Sequence, residues 1–159
     1  YCGDRMNRIL CIGEALIDMI CTDKGMSLSE GTHFLKKAGG APMNVAAAIA
    51  AMGGKVSVAA KVGQDPFGKH LIEVLNGADG MLNQQEVSAI DINDFNIVHF
   101  GSATAFLPGP LQTAYDNLLI QSKQKNRFIS FDPNYRHLLF GNDQKTFIEK
   151  SWQFISESD

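Results

Sequence analysis

Several polar residues in this chain stand where a ligand could use them. Asp18 is alone among apolar neighbours in ALIDMICT, and Asn44 follows a glycine pair and a proline in KKAGGAPMNVAAAIAAMGG. Gly101 and Ser102 close the run NIVHF, and Asp132, Asn134 and Arg136 fall in FDPNYR. A Gly-Gly pair lets backbone approach a ligand with no side chain in the way. A helix starting directly after it offers unpaired N–H groups and a partial positive charge. The Asn44 amide can donate and accept, which suits a hydroxyl-rich ligand. The alanines behind it let the helix lie close against a sheet, so its first turn is held rigidly. A phosphate-binding P-loop is excluded, because no Lys-Ser/Thr follows the glycines.

These residues need strands and helices to hold them. RILCIGE reads as a buried strand continued by ALIDMICT, DKGMSLSEG as a polar loop and THFLKKA as another strand. A small-residue helix follows from Pro42 to Met52, with Pro42 in its first turn and Gly53-Gly54 ending it. KVSVAAKVG is a strand, and DPFGKHLIEVL a helix capped by Asp65 with Pro66 first. NIVHFGSA and RFISFD are strands, Asp132 closing the second. Between them lies an amphipathic helix with Leu111, Tyr115, Leu118 and Leu119 on one face, and QKTFIEKSWQFIS is a further helix. Strands alternating with helices predict an α/β fold with a mostly parallel, Rossmann-like sheet covered by helices on both faces. In such sheets ligands sit beyond the carboxyl ends of the strands, where the candidate residues fall.

Composition narrows the function classes. The 159 residues are 45% apolar and 19% charged, enough for one compact core. Net charge is −3 and no basic run occurs, so nucleic acid is not an expected partner. No apolar stretch is long enough to span a bilayer and no secretory signal is visible, so no membrane partner is expected. Cys2, Cys11 and Cys21 fit no zinc or redox spacing, Cys11 and Cys21 read as core, and a reducing cytoplasm is the expected setting. His33, His70, His99 and His137 are too scattered for a metal site. Met19, Met43 and Met52 read as gap-filling core, with Met43 and Phe100 as minor candidates to face a ligand.

GGAPMNVA, followed by Gly53 and Gly63, resembles the N-terminal signature of the PfkB (ribokinase-like) carbohydrate kinases. CIGEALIDMI, KVGQDPFGKHL and NGADGML resemble the neighbouring family segments, and FGSATA and FDPNYR look like the fructokinase branch. The resemblance implies transfer of the ATP γ-phosphate to a sugar hydroxymethyl group, fructose giving fructose 6-phosphate. It implies ATP and Mg²⁺ as cofactors. It places Asp18, Gly39, Gly40, Asn44, Gly101 and Ser102 at the sugar. Asp132 and Asn134 would lie near the phosphates or Mg²⁺, and Arg136 would supply a cation to substrate or phosphate. Each has a structural alternative: a strand-edge acid for Asp18, a turn cap for Asp132, a surface ion pair for Arg136.

The chain departs from the family in two places. Leu75 runs straight into Asn76 where the family carries a lid, and no Gly-Ala-Gly-Asp, the motif of the family's catalytic base, occurs. Residues 1–159 therefore read as the N-terminal part of one ribokinase-like domain, lid missing, and inactive alone. Tyr1 to Arg5 read as cloning-derived residues or an upstream extension before Met6. Family lids imply a homodimer. Kinases for another sugar or a sugar acid such as 2-keto-3-deoxygluconate stay open, as does a catalytically dead sugar-binding module.

Overall fold

The computed structural model describes residues 8–60, 62–77, 90–141 and 143–159. Four strands form one parallel sheet: β1 (Arg8–Ile12), β4 (Lys55–Ala59), β5 (Ile97–Phe100) and β6 (Phe128–Phe131), in the order β4-β1-β5-β6. Two more, β2 (Leu16–Cys21) and β3 (Phe34–Gly39), pair antiparallel as a separate ribbon. The helices are α1 (Ala41–Ala51), α2 (Pro66–Gly77), α3 (Pro110–Gln124), the short α4 (His137–Phe140) and α5 (Gln144–Glu157). A 3₁₀ turn at Ile92–Asp94 and α4 are additions to the sequence reading.

Alternation along the strands builds the two layers. Leu10, Ile12, Val98, Phe100 and Ile129 join Tyr115, Leu118 and Leu119 of α3 and Phe147 and Phe154 of α5 in the main core. On the opposite face Val58 packs with Met43 of α1 and Leu71 of α2 in a smaller cluster. Helices thus cover both faces, as the alternating pattern predicts. The rings of Phe100, Tyr115, Phe106 and Phe154 interlock edge-on and tilted, with centroids 5.1 to 6.4 Å apart. That packing holds α3 firmly against the carboxyl end of β5.

Several local expectations are corrected. ALIDMICT is not a continuation of the buried strand: β2 leaves the sheet, and Leu16, Met19 and Ile20 are more than 40% exposed. Gly13, at φ +152°, turns the chain there in a conformation that L side chains rarely adopt. A side chain on Gly13 would also meet Pro42 Cγ at 2.7 Å and Ser102 Cβ at 2.8 Å. Met43 and Phe100 belong to the cores and do not face a ligand, whereas Met19 and Met52 are exposed rather than gap-filling. Helix α2 is capped by Asp65, whose Oδ1 accepts the Gly68 N–H at 2.8 Å, and it runs unbroken through Leu75 and Asn76. Most of NGADGML lies outside the described residues. No helix among the described residues is long and apolar enough to cross a membrane.

Candidate functional site

Ile12, Phe100 and Phe131 lie side by side across β1, β5 and β6. The residues one step further, Gly13, Gly101 and Asp132, therefore line up along one rim of the sheet. Neighbouring parallel strands are about 4.8 Å apart, so this rim is where three chain segments can act on one small ligand.

The first part of the rim is the glycine turn. Gly40, at φ +112°, sets the start of α1, and a side chain there would strike the Glu14 carbonyl. The Asn44 N–H is already bonded to the Gly40 carbonyl at 2.9 Å, and Pro42 has no N–H. The first-turn donors left over are the amides of Ala41 and Met43. The Asn44 side chain belongs to an exposed residue, free to meet a ligand. Asp18, across the ribbon, lays its carboxylate against the Cα of Gly39, where a side chain would clash. Asp18 is also exposed, and its carboxylate has no hydrogen-bond partner among the described residues. The structure thus brings Asp18, Gly39 and Gly40 together around the start of α1, with Asn44 one turn along.

The second part follows β5 and β6. Asp132 N–H bonds the Phe100 carbonyl at 2.8 Å, and Asp132 Oδ1 accepts the Asn134 N–H at 2.9 Å. Asn134, at φ +44°, donates from Nδ2 to the Gly101 carbonyl at 3.2 Å. Asp132 and Asn134 therefore form a turn that braces Gly101. Arg136 is exposed and begins α4, with its guanidinium unpaired among the described residues. His99 reaches under Gly101: a side chain on Gly101 would stand 2.8 Å from His99 Nε2. His99 Nδ1 meets Ser130 Oγ at 3.0 Å, while Nε2 is buried without a partner among the described residues. Burial pulls the imidazole pKa below its ordinary value, the Asp132 charge opposing this in part.

Ser102 departs from its expected role. It is fully buried, and its hydroxyl donates to Glu14 Oε2 while accepting the Ala105 N–H at 3.1 Å and the Thr104 N–H at 3.3 Å. Its own N–H donates to Tyr115 Oη at 2.8 Å, and the Tyr115 hydroxyl donates to the Ile12 carbonyl at 3.1 Å. Burial pushes the phenol pKa well up, so Tyr115 keeps the proton it donates. Ser102 has no hydrogen-bonding capacity to spare in this arrangement. Glu14 and Tyr115 were missed by sequence reasoning. Tyr115 was read only as part of an apolar face. The signal for Glu14 was a carboxylate directly after the glycine that ends the first buried strand.

Among the described residues no cluster of three His, Cys, Asp or Glu could hold a metal. Asp132 offers one carboxylate oxygen beyond the one used on Asn134. That suits a single contact to a cation held mainly by phosphates rather than a protein-made Mg²⁺ cage. A cavity of about 300 Å³ opens between β2 and α2, lined by Ile17, Met19, Val62 and Phe67 among others. Ala15 and Leu16 line it as well, so it reaches the end of the ribbon where Leu16 pairs with Gly39.

Residues 6–79 match the family described as pfkB family carbohydrate kinase. Over that stretch the chain is similar to that family. The chain is 32% identical over 166 residues to probable fructokinase-5 of Arabidopsis thaliana, covering 80% of itself and 51% of that relative. It is 28% identical over 181 residues to probable fructokinase-2 of the same plant, covering 90% of itself and 55% of the relative. A match of 181 positions exceeds the 159 residues of the chain, so the relative carries residues inside the matched region that this chain lacks. The uncharacterized sugar kinase of Pyrococcus horikoshii, solved in complex with ATP, superposes with a TM-score of 0.78 at 28% identity, over 95% of this chain and 61% of that one. The chain spans about half the length of the curated relatives it matches.

Proposed function

We propose that this chain supplies the sugar-binding part of an ATP-dependent carbohydrate kinase, with D-fructose as the acceptor and fructose 6-phosphate as the product. The observation that carries the reading is the rim itself. A carboxylate without a hydrogen-bond partner among the described residues and an exposed amide flank a side-chain-free turn at the start of a helix, beside the carboxyl ends of three parallel strands. Asp18 and Asn44 accept and donate to sugar hydroxyls, and Gly39 and Gly40 let the sugar touch backbone. Gly101 bounds the sugar, and Ser102 holds the loop behind it. Asp132, Asn134 and Arg136 face the transferring phosphate from β6, with Mg²⁺ carried by the nucleotide. Phosphoryl transfer rests on positioning and charge neutralisation, which these residue types can supply in part. The general base, most of the ATP site and the lid lie in residues that the relatives carry beyond this chain, the lid after Leu75. A homodimer and a cytoplasmic setting complete the reading, the latter consistent with free thiols at Cys11 and Cys21.

Calorimetric titration of the chain with D-fructose tests this, followed by an ATP-coupled assay on a protein that carries the remaining kinase half. D-fructose binding that is lost in Asp18→Ala and Asn44→Ala is the expected result. Tighter binding of 2-keto-3-deoxygluconate would move the substrate to sugar acids. Binding of no sugar would overturn the reading.

A further inference from the structure

The link between β1 and β2 touches both halves of the rim through one residue. Glu14 is buried, with 8% of its surface exposed, an uncommon place for a carboxylate. Its carboxylate accepts the Ser102 hydroxyl, the Ala103 N–H at 3.3 Å and, more weakly, the Thr104 hydroxyl at 3.5 Å. All three donors belong to the loop after β5. Its backbone carbonyl lies against Gly40, in the space a side chain there would need. One residue earlier, Gly13 is wedged between Pro42 of α1 and Ser102. The short segment Gly13–Glu14 is therefore packed between the glycine turn that cradles the proposed sugar and the loop that bounds it.

We infer that Glu14 is a positioning residue that couples the Gly39-Gly40 turn to the Ser102–Ala105 loop, setting the spacing of the sugar cradle without touching the sugar. The inference rests on the sugar-binding reading for its functional consequence and on geometry alone for the coupling. Because the donors to Glu14 all come from the loop after β5, its carboxylate is used to hold that loop rather than a ligand. Buried carboxylates held by several donors fix geometry strongly, since displacing them strands those donors.

The test uses the whole chain and two readouts. Amide resonances are recorded without sugar for wild type, Glu14→Gln and Ser102→Ala. Both variants should shift the resonances of Ala103–Ala105 and also those of Gly39 and Gly40. Shifts confined to Ala103–Ala105 would overturn the coupling. Should Glu14→Gln fail to fold, Ser102→Ala removes the same hydrogen bond from the other side and decides the matter. D-fructose affinity is then measured by titration. Each single variant should bind on the order of tenfold more weakly, and the double variant no more weakly than either alone, because both cut one path. Wild-type affinity in folded Glu14→Gln, or additive losses in the double variant, would overturn the positioning role. A wild-type chain that binds no sugar sinks the sugar reading instead, and the resonance shifts then still decide the coupling.

Discussion

The two sides of this site treat polar groups in opposite ways. Around Ser102, buried polar groups pair with one another: Glu14 with Ser102 and Ala103, Tyr115 with Ser102 and Ile12, with His99 Nε2 the exception at the edge. On the β2–β3 ribbon and at the start of α1, Asp18 and Asn44 are exposed, with side chains that bond nothing among the described residues. A buried polar group without a partner is costly, so the hub had to be satisfied internally and can only position. The exposed groups incur no such cost in water and remain available to a ligand. Substitutions in the hub should therefore act first on stability, and those on the ribbon on binding alone.

The largest effect is expected at Gly13, where the hub and the cradle meet. Gly13→Ala adds a side chain at a positive φ, 2.7 Å from Pro42 and 2.8 Å from Ser102. A loss of roughly 3 kcal/mol or more is expected in urea unfolding. A near-neutral result would mean that the two regions are not packed through this point. Tyr115→Phe comes next. It removes the hydroxyl that satisfies the Ser102 N–H and the Ile12 carbonyl, for a cost of about 1–3 kcal/mol in the same measurement. Asn44→Ala should change stability by no more than about 0.5 kcal/mol while abolishing most of the D-fructose affinity seen in calorimetry. A comparable stability loss at Asn44 and Tyr115 would erase the distinction between the regions.

The smallest effect tests the edge of the hub. The His99 pKa is lowered in the fold, so the unfolded chain takes up a proton at a higher pH than the native one. Stability contributed by keeping His99 neutral is present above its unfolded value of 6.5 and falls as pH drops below it, until the native imidazole also protonates. Thermal unfolding followed from pH 7 to pH 5 should show a steeper decline for wild type than for His99→Gln. Equal slopes would mean that His99 is not held neutral beneath Gly101.

Much of the architecture was legible because it rests on local signals. Periodicity and capping placed β1, β4, β5, β6, α1, α2, α3 and α5 within a few residues of where they occur, Asp65 included. The apolar face of α3 was readable from spacing alone, and Tyr115, Leu118 and Leu119 are buried as expected. THFLKKA was legible as the strand β3, but β2 was misjudged because an apolar run looks the same whether it is buried in a sheet or half-exposed in a two-stranded arm. Only pairing partners tell the two apart. Helix α4 was too short to leave a periodic trace.

Residue types settled some matters without any structure. A Gly-Gly-Ala-Pro-x-Asn run reads as a side-chain-free turn into a helix, since Pro42 is suited to a first turn, and the structure adds the positive φ of Gly40. Alternating strands and helices dictate a parallel sheet, whose carboxyl ends are where a site can form. Tertiary structure alone decided which polar residues face outward. Nothing in FGSATA distinguishes a serine offered to a ligand from one locked to a carboxylate 88 positions away in the chain. That choice depends on which groups are desolvated together, and burial is a property of the packed fold rather than of any segment within it.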